Sequence, residues 1–170
     1  MATIRPITAH DAEGYNRCLA EVALERKYIG FVEPPSIERS IAWVETALRD
    51  DYPFFVALEN DMVVGWCDIA LNSREGFSHV GHLGMAVIAA HRGKGIGAAL
   101  LQSALQRARE LGRERIDLDV YSNNHAAIAL YKKLGFVEEG LKHRGRKLDG
   151  EYYDIMQMAL LFDWVPPTPG

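Results

Sequence analysis

The chain has 170 residues, 48% of them hydrophobic and 25% charged, and a formal net charge of −4. These values are typical of one globular domain and exclude collagen-like, disordered and membrane-spanning proteins. The small acidic charge is spread along the chain and forms no basic face of the kind that nucleic-acid-binding proteins carry. We therefore expect a soluble protein without nucleic-acid or membrane partners.

Neither the N-terminus nor the cysteines indicate export. The chain begins with a strand-like stretch and lacks the basic flank and apolar run of a signal peptide. Cys18 and Cys67 show no disulfide-framework or metal-type spacing, and the histidines show no metal-ligand spacing. The sequence therefore predicts a cytoplasmic protein with no metal site. The proline-rich residues 164–170 are interpreted as a tail, which leaves one domain over residues 1–163.

The first third of the sequence predicts a short strand followed by two helices. Thr8, with Asp11 three residues later, forms a capping-box pattern that opens the first helix. Its pattern runs towards Tyr28. After a Pro-Pro pair, Ser36 can cap a second helix, in which apolar residues recur at helical spacing.

Strands dominate the next part of the chain. Two β-rich runs over residues 54–58 and 63–71 are joined at Asn60-Asp61, which is typical of a tight hairpin. A third run covers residues 79–88. The sequence therefore predicts a three-stranded segment.

The clearest helix is predicted over residues 96–111. Its apolar residues form one stripe at helical spacing, and Gly112 can end it. The alternating pattern of residues 116–121 predicts a strand, and a further helix follows over residues 124–134.

Two final strands are predicted over residues 136–143 and 152–160, with Asp149-Gly150 as the turn between them. The complete order mixes hairpins with strand-helix-strand units. It predicts an α/β (α+β) fold with about seven strands and about four helices. The sheet should be mixed, antiparallel at the front with a parallel pair around the long helix.

The residues that point to chemistry lie directly before the long helix. The segment is Arg92-Gly93-Lys94-Gly95-Ile96-Gly97. Its glycines let backbone N–H groups and the positive end of the helix dipole approach a phosphate closely. Arg92 and Lys94 add mobile positive charge. The alternative is a glycine-rich loop that serves backbone geometry only.

This segment resembles the [Arg/Gln]-x-x-Gly-x-[Gly/Ala] coenzyme A signature of the GNAT superfamily of N-acetyltransferases. A second segment, from Asn124 to Phe136, resembles the Asn-x-x-Ala-x-x-Leu-Tyr-x-x-x-Gly-Phe run of the same superfamily. The order of elements also agrees, so the resemblance covers the chain up to the tail. The resemblance implies acetyl-CoA as cofactor and direct acetyl transfer to a primary amine in a ternary complex. Neither cysteine lies in a motif, which favours a reaction without a covalent acyl-enzyme.

The resemblance also implies a GNAT-like sheet that splays open at its parallel pair. The cofactor's pantetheine arm would pair there with the backbone of Met85, Ala86 and Val87, whose N–H groups would also meet the oxyanion. Gly81 and Gly84 lie in the same strand. Glycine within a strand indicates either a close approach of the ligand or a structural bulge.

Transfer to an amine needs both an acid and a base, because an alkylamine is mostly protonated at neutral pH. The resemblance assigns the role of the acid to Tyr131. It also implies that Asn124 and Tyr131 contact the cofactor. Asp119 matches the position of a catalytic glutamate in ribosomal-protein alanine acetyltransferases, but its shorter side chain would need an intervening water. The imidazole of His82 is the other candidate base. The structural alternatives are a core aromatic for Tyr131 and ordinary polar groups for the two bases.

The acceptor is the least determined part of the prediction. The resemblance implies a pocket formed by residues 28–35 and 141–153, in a branch that includes L-amino acid N-acyltransferases. Arg144 or Arg146 would then pair with a substrate carboxylate, or else both belong to a solvated face. We expect a small-molecule primary amine, foremost an L-amino acid, with polyamines and aminoglycosides still open. The alternatives are a protein N-terminal acetyltransferase and a non-catalytic acyl-CoA-binding module. Relatives are often homodimers, but no interface is legible.

One rival interpretation is a dinucleotide-binding fold. Gly93-x-Gly95-x-x-Ala98 fits its loose fingerprint, and Asp119 lies near the distance of the ribose-binding acid. The context excludes this interpretation, because two residues separate the preceding strand from the loop and too few strand-helix units remain.

Overall fold

A mixed sheet of seven strands forms the centre of the computed structural model, which describes residues 1–163. The strands are β1 (Thr3–Pro6), β2 (Phe54–Glu59), β3 (Met62–Leu71), β4 (Val80–Val87), β5 (Arg115–Tyr121), β6 (Val137–Leu148) and β7 (Glu151–Leu161). The helices are α1 (Ala12–Leu24), α2 (Ile37–Arg49), α3 (Ile96–Glu110) and α4 (His125–Lys133). The sheet order is β1-β2-β3-β4-β5-β7-β6, and only the β4–β5 pair is parallel.

The predicted α/β (α+β) fold is therefore confirmed, with its seven strands, four helices and splayed parallel pair. The predicted tail over residues 164–170 lies outside the described residues. None of the helices within residues 1–163 is long and apolar enough to cross a membrane.

The start of α1 follows the capping pattern, but its end does not follow the prediction. The backbone N–H of Thr8 donates to Asp11 Oδ2 at 2.8 Å, after which a short 3₁₀ turn leads into the helix. The guanidinium of Arg5 beside Asp11, with the Thr8 hydrogen bonds, lowers the pKa of that carboxyl to about 2. The helix stops at Leu24, because Arg26 adopts the left-handed conformation with φ 56°. The predicted continuation towards Tyr28 is wrong.

Both predicted hairpin turns are present. Asn60 and Asp61 have φ values of 50° and 61°, the left-handed pair that a tight two-residue turn requires. β6 is longer than predicted and reaches Leu148. Arg144, with φ 53°, lies in an interruption of the β6–β7 register, and the strand resumes after it. The local sequence therefore predicted that β6 ends near residue 143, where the structure has only a bulge.

The parallel pair opens a gap in the middle of the sheet. Pairing between β4 and β5 stops at His82↔Asp117, and the two strands diverge beyond that point. α3 packs on one face of the sheet, where Leu100 and Leu101 are fully buried. α1 packs on the opposite face, where the Tyr15 ring contacts β3, and α2 packs against α1. Residues on both faces of the sheet therefore line the gap.

Gly81 has a packing role within this arrangement. The register of β3 with β4 runs unbroken from Gly65↔Val87 to Leu71↔Gly81, so β4 contains no bulge there. A Cβ on Gly81 would lie 2.4 Å from Ile69 Cγ2. The register therefore excludes a bulge at Gly81, and the missing side chain makes room for the core.

Candidate active site

A cleft of about 1260 Å³ occupies the gap between β4 and β5. We call the wall formed by α3, α4 and the loop before α3 the cofactor side. It includes Gly93, Gly95, Gly97, Ala98, Asn124 and Tyr131. We call the wall formed by α1, α2 and the facing strand side chains the acceptor side. It includes Tyr15, Arg39, Trp66, Asp68, His82 and Asp119.

The free edge of β4 presents alternate peptide groups to the gap. The N–H of Ile88 donates to Val64 O at 3.0 Å, and backbone groups alternate between the two edges of a strand. The peptide groups of Met85 and Val87 therefore point into the gap, whereas those of Ala86 pair with β3. Of the three residues predicted to pair with the cofactor, Met85 and Val87 direct their peptide groups into the gap, and Ala86 lines the cleft but directs its peptide groups towards β3.

The glycine loop has the shape of a phosphate cradle. Gly93 and Gly95 adopt left-handed φ values of 73° and 81°, and Gly95 is the N-cap of α3. The first N–H groups of that helix have no partner within it, so they are available to an anion. Lys94 is exposed beside them, while the side chain of Ile96 is buried in the core. A Cβ on Gly97 would lie 3.5 Å from side-chain atoms of both β4 and α4.

Arg92 is not the mobile cation that the sequence suggested. Its Nη1 donates to Glu25 Oε2 at 2.8 Å, its Nη2 also pairs with Glu25, and its Nε donates to Val87 O at 2.7 Å. The guanidinium stacks 4.6 Å from the centre of the Tyr28 ring. The hydrogen bonds to Glu25 raise the pKa of Arg92. Arg92 thus fastens the segment after α1 to the glycine loop, and Lys94 is left as the free cation of that loop.

Tyr131 lies deep on the cofactor side. Only 8% of this residue is exposed, and its ring lies 5.7 Å from that of Phe136. Burial, with a smaller contribution from Cys67, raises the pKa of the phenol, which therefore keeps its proton at neutral pH. Asn124 is the N-cap of α4, where its Oδ1 accepts the N–H of Ala127 at 3.3 Å.

The two candidate bases lie on the acceptor side. His82 pairs in register with Asp117, and side chains alternate along a strand, so Asp119 shares the face of His82. His82 is exposed to the cleft. The Asp119 Oδ2 lies 2.9 Å from Lys142 Nζ and forms an ion pair with it.

Sequence reasoning missed Asp68, a carboxylate in the wall of the acceptor side. It lies in β3 and is only 7% exposed. Desolvation raises its pKa to about 7, against smaller lowering contributions from the Trp66 side chain and its own backbone. The rings of Tyr15 and Trp66 meet edge to face nearby, with centroids 5.5 Å apart. The available signal was a single aspartate inside the apolar run over residues 62–71.

The sequence left two roles open for Arg144 and Arg146, either as partners of a substrate carboxylate or as part of a solvated face. Arg144 stacks on the Tyr152 ring at 4.7 Å and Arg146 on the Tyr121 ring at 4.8 Å, and neither lines the cleft. Arg39 of α2 does line it, with an exposed side chain. Residues 28–31 and Pro35 also line the cleft, whereas no residue of the second expected segment, 141–153, does.

The described residues contain no group of three or more His, Cys, Asp or Glu side chains arranged to hold a metal ion. The chemistry available within residues 1–163 is therefore that of a phosphate cradle, a buried phenol and several carboxylate and imidazole groups around one cleft.

Known proteins resemble this chain over most of its length. The family model described as Acetyltransferase (GNAT) family matches residues 15–136. An L-amino acid N-acyltransferase of Escherichia coli is 31% identical over 127 residues, which cover 74% of each chain. An L-methionine sulfoximine/L-methionine sulfone acetyltransferase of Salmonella typhimurium is 32% identical over 128 residues, again 74% of each chain. A GNAT superfamily phosphinothricin acetyltransferase from Sinorhizobium meliloti, solved in complex with acetyl-CoA, has a TM-score of 0.88 at 25% identity, over 98% of this chain and 94% of the other.

Proposed function

This chain belongs to the GNAT family of acetyltransferases, and we propose that it transfers the acetyl group of acetyl-CoA to the primary amine of an L-amino acid or a close analogue. The observation that carries the proposal is a cleft that has a glycine cradle on one side and ionisable side chains on the other. The curated relatives support the acceptor class, because their names specify L-amino acids and methionine analogues.

The residues of the cofactor side fit coenzyme A. The cradle of Gly93, Gly95 and Gly97 would hold the pyrophosphate, with Lys94 adding positive charge at its rim. The free peptide group of Met85 would hold the pantetheine amide, since it points into the gap. When bound, acetyl-CoA supplies the thioester whose acetyl group the amine receives.

Tyr131 is the proposed acid, and the two proposed bases differ in quality. The buried phenol keeps its proton and gives it from Oη to the leaving sulfur. His82, exposed to the cleft, is the better base. Asp119 is the weaker one, because its carboxylate is already occupied by the Lys142 ammonium at 2.9 Å.

The burial of both cysteines supports direct attack by the amine without an acyl-enzyme. Cys18 and Cys67 are both buried. Burial raises the pKa of Cys18 to about 12 and that of Cys67 well above its usual range. Both thiols stay protonated at neutral pH, so neither is an activated nucleophile for an acyl-enzyme.

Arg39 is the proposed partner of the acceptor carboxylate. It lines the acceptor side with an exposed guanidinium, and arginine binds carboxylates through paired hydrogen bonds. An amino acid would then place its amine deeper in the cleft than its carboxylate.

The test is thiol release from acetyl-CoA with a panel of L-amino acids, their amides, polyamines, aminoglycosides and short peptides. We expect turnover with L-amino acids or their analogues, and an Arg39→Gln variant should raise KM for the acids more than for the matched amides. Turnover with peptides alone would overturn the proposed acceptor. Turnover with no amine would overturn the proposed function.

A further inference from the structure

Asp68 is a buried carboxylate without a compensating cation. It lies in the middle of β3 and is more than nine-tenths buried. Within residues 1–163, Asp68 forms no ion pair with a lysine, arginine or histidine side chain. An unpaired charge in such a place is costly, so a role in binding or chemistry is the usual reason for it.

The geometry of β4 leaves this carboxylate open to the cleft. Asp68 stands directly opposite Gly84, and both residues line the cavity. A Cβ on Gly84 would lie 3.3 Å from Asp68 Oδ1. A side chain at this position would therefore crowd Oδ1 of Asp68, whereas glycine leaves that oxygen room towards the cavity. The pairing also places Asp68 on the same face as His82, on the acceptor side.

The groups around Asp68 suit a cation. Tyr15 of α1 and Trp66 of β3 provide an aromatic wall, and aromatic faces attract positive charge. The ionisable groups that line the acceptor side together with Asp68 include Tyr15 from α1, Arg39 from α2, His82 from β4 and Asp119 from β5. Burial, with smaller contributions from the Asp68 and Cys18 charges, raises the pKa of Tyr15. The innermost part of the acceptor side is therefore acidic and aromatic.

We infer that Asp68 binds the ammonium group of the acceptor, so that the enzyme selects primary amines that carry a positive charge on an apolar body. This inference rests on the proposed function. The ammonium would supply the charge that the buried carboxylate lacks, and the apolar body would pack on Tyr15 and Trp66. Asp68 thereby positions the nitrogen in the gap, and removal of its proton is left to the base.

The inference predicts a specific dependence on pH. Binding needs the carboxylate of Asp68 to be ionised and the amine to be protonated. Burial holds the pKa of Asp68 at about 7, so kcat/KM for a cationic acceptor should fall as the pH drops below that value. An amine that is neutral at the assay pH should not show this loss.

The experiment compares three variants of the full chain. Asp68→Asn removes the charge with little change of shape, and Gly84→Ala leaves the charge but narrows the access to it. Asp61→Asn is the matched control, because Asp61 is exposed in the β2–β3 turn and asparagine tolerates its left-handed φ of 61°. The measurements are acceptor KM and kcat, acetyl-CoA affinity by calorimetry, and the increase in Tm that each amine causes.

We expect Asp68→Asn to raise acceptor KM by about tenfold or more for cationic amines, because a charged hydrogen bond is lost. Gly84→Ala should raise KM in the same direction. For Asp68→Asn the acetyl-CoA affinity should stay within about twofold, and a weakly basic fluorinated ethylamine should lose no activity. Asp61→Asn should match the wild type in every assay.

Two failures can be told apart. If the wild type acetylates amines and Asp68→Asn keeps both its acceptor KM and its preference for charged amines, the inference is overturned and the proposed function stands. If the wild type acetylates no amine, the proposed function fails. The Tm arm then decides on Asp68 alone: charged amines should raise Tm in the wild type and not in Asp68→Asn, and equal shifts in both would overturn the inference.

Discussion

The two sides of the cleft are built from different parts of the chain. The cofactor side uses backbone geometry, with left-handed glycines at 93 and 95 and the start of α3 within one short segment. The acceptor side uses the side chains of separate helices and strands, such as Tyr15, Asp68 and His82. A phosphate is recognised by peptide groups that any sequence with the right glycines can present. An acceptor is recognised by side chains, so that side can change without loss of the cofactor site.

Arg92 joins the two sides. It belongs to the glycine loop, but its guanidinium is held by Glu25 and Tyr28 of the segment that follows α1. These contacts fasten the segment after α1, part of which lines the cleft, to the glycine loop. Ligand binding at one side of the cleft should therefore change the affinity of the other side through Arg92.

The largest expected effect tests the cofactor side. Tyr131→Phe removes the proposed acid and should lower kcat by about 10²-fold or more, in the range of general acid catalysis. The affinity for acetyl-CoA should change little, because the ring stays in place beside Phe136. Steady-state kinetics and calorimetry measure the two quantities. An unchanged kcat would show that the sulfur takes its proton from another source.

The next effect tests the acceptor side through stability. The folded-state pKa of Asp68 is about 7 against 3.8 for an ordinary aspartate, so between these values the folded protein binds more protons than the unfolded chain. Wild-type stability therefore falls as the pH rises through this window. Asp68→Asn cannot ionise, and its stability relative to the wild type should rise by about 4 kcal/mol between acidic and slightly alkaline pH.

Denaturant unfolding of both proteins across that pH range measures the difference. A constant difference would show that the Asp68 carboxylate is not buried in its charged form. A variant that is more stable yet less active would fit a group kept for binding.

A smaller effect separates two glycines of the cradle. Gly95→Ala forces a side chain into a left-handed φ of 81° and should cost about 1 kcal/mol of stability, with weaker acetyl-CoA binding. Gly97 lies inside α3, and a methyl group added there would lie 3.5 Å from its nearest neighbours, so Gly97→Ala should have less effect. Thermal unfolding and calorimetry measure both variants. Equal losses would mean that backbone conformation is not what the loop requires.

The smallest effects compare two ion pairs of the segment after α1. Glu25→Gln weakens the partly buried contact with Arg92 and should raise acceptor KM by about threefold. Asp149→Asn breaks the exposed ion pair with Arg26, in which Arg26 Nη2 lies 2.8 Å from Asp149 Oδ1. This substitution should change the free energy of unfolding by less than about 0.5 kcal/mol. Acceptor kinetics and thermal unfolding of the two variants test the order. A larger effect from Asp149→Asn would reverse it.

Most of the fold could be predicted from the sequence, because turns and helix caps depend on residues that are close together in the chain. The turn at Asn60-Asp61 and the cap at Ser36 depend on residues a few positions apart, and both are present. The errors fall where a distant contact competes with local preference. α1 ends early where Glu25 meets the glycine loop, and β6 continues past its bulge because β7 pairs with it.

The order of the elements and the glycine cradle were determined by the sequence itself. Hydrogen bonds within a helix or a turn, and the left-handed conformations of Gly93 and Gly95, depend on neighbouring residues alone. Only the tertiary structure decided the acceptor side. Arg92 finds Glu25 across 67 positions of sequence, and Asp68 becomes a buried cleft carboxylate only when helices and neighbouring strands close around β3. Burial and long-range pairing are properties of the packed chain, so no local pattern could assign them.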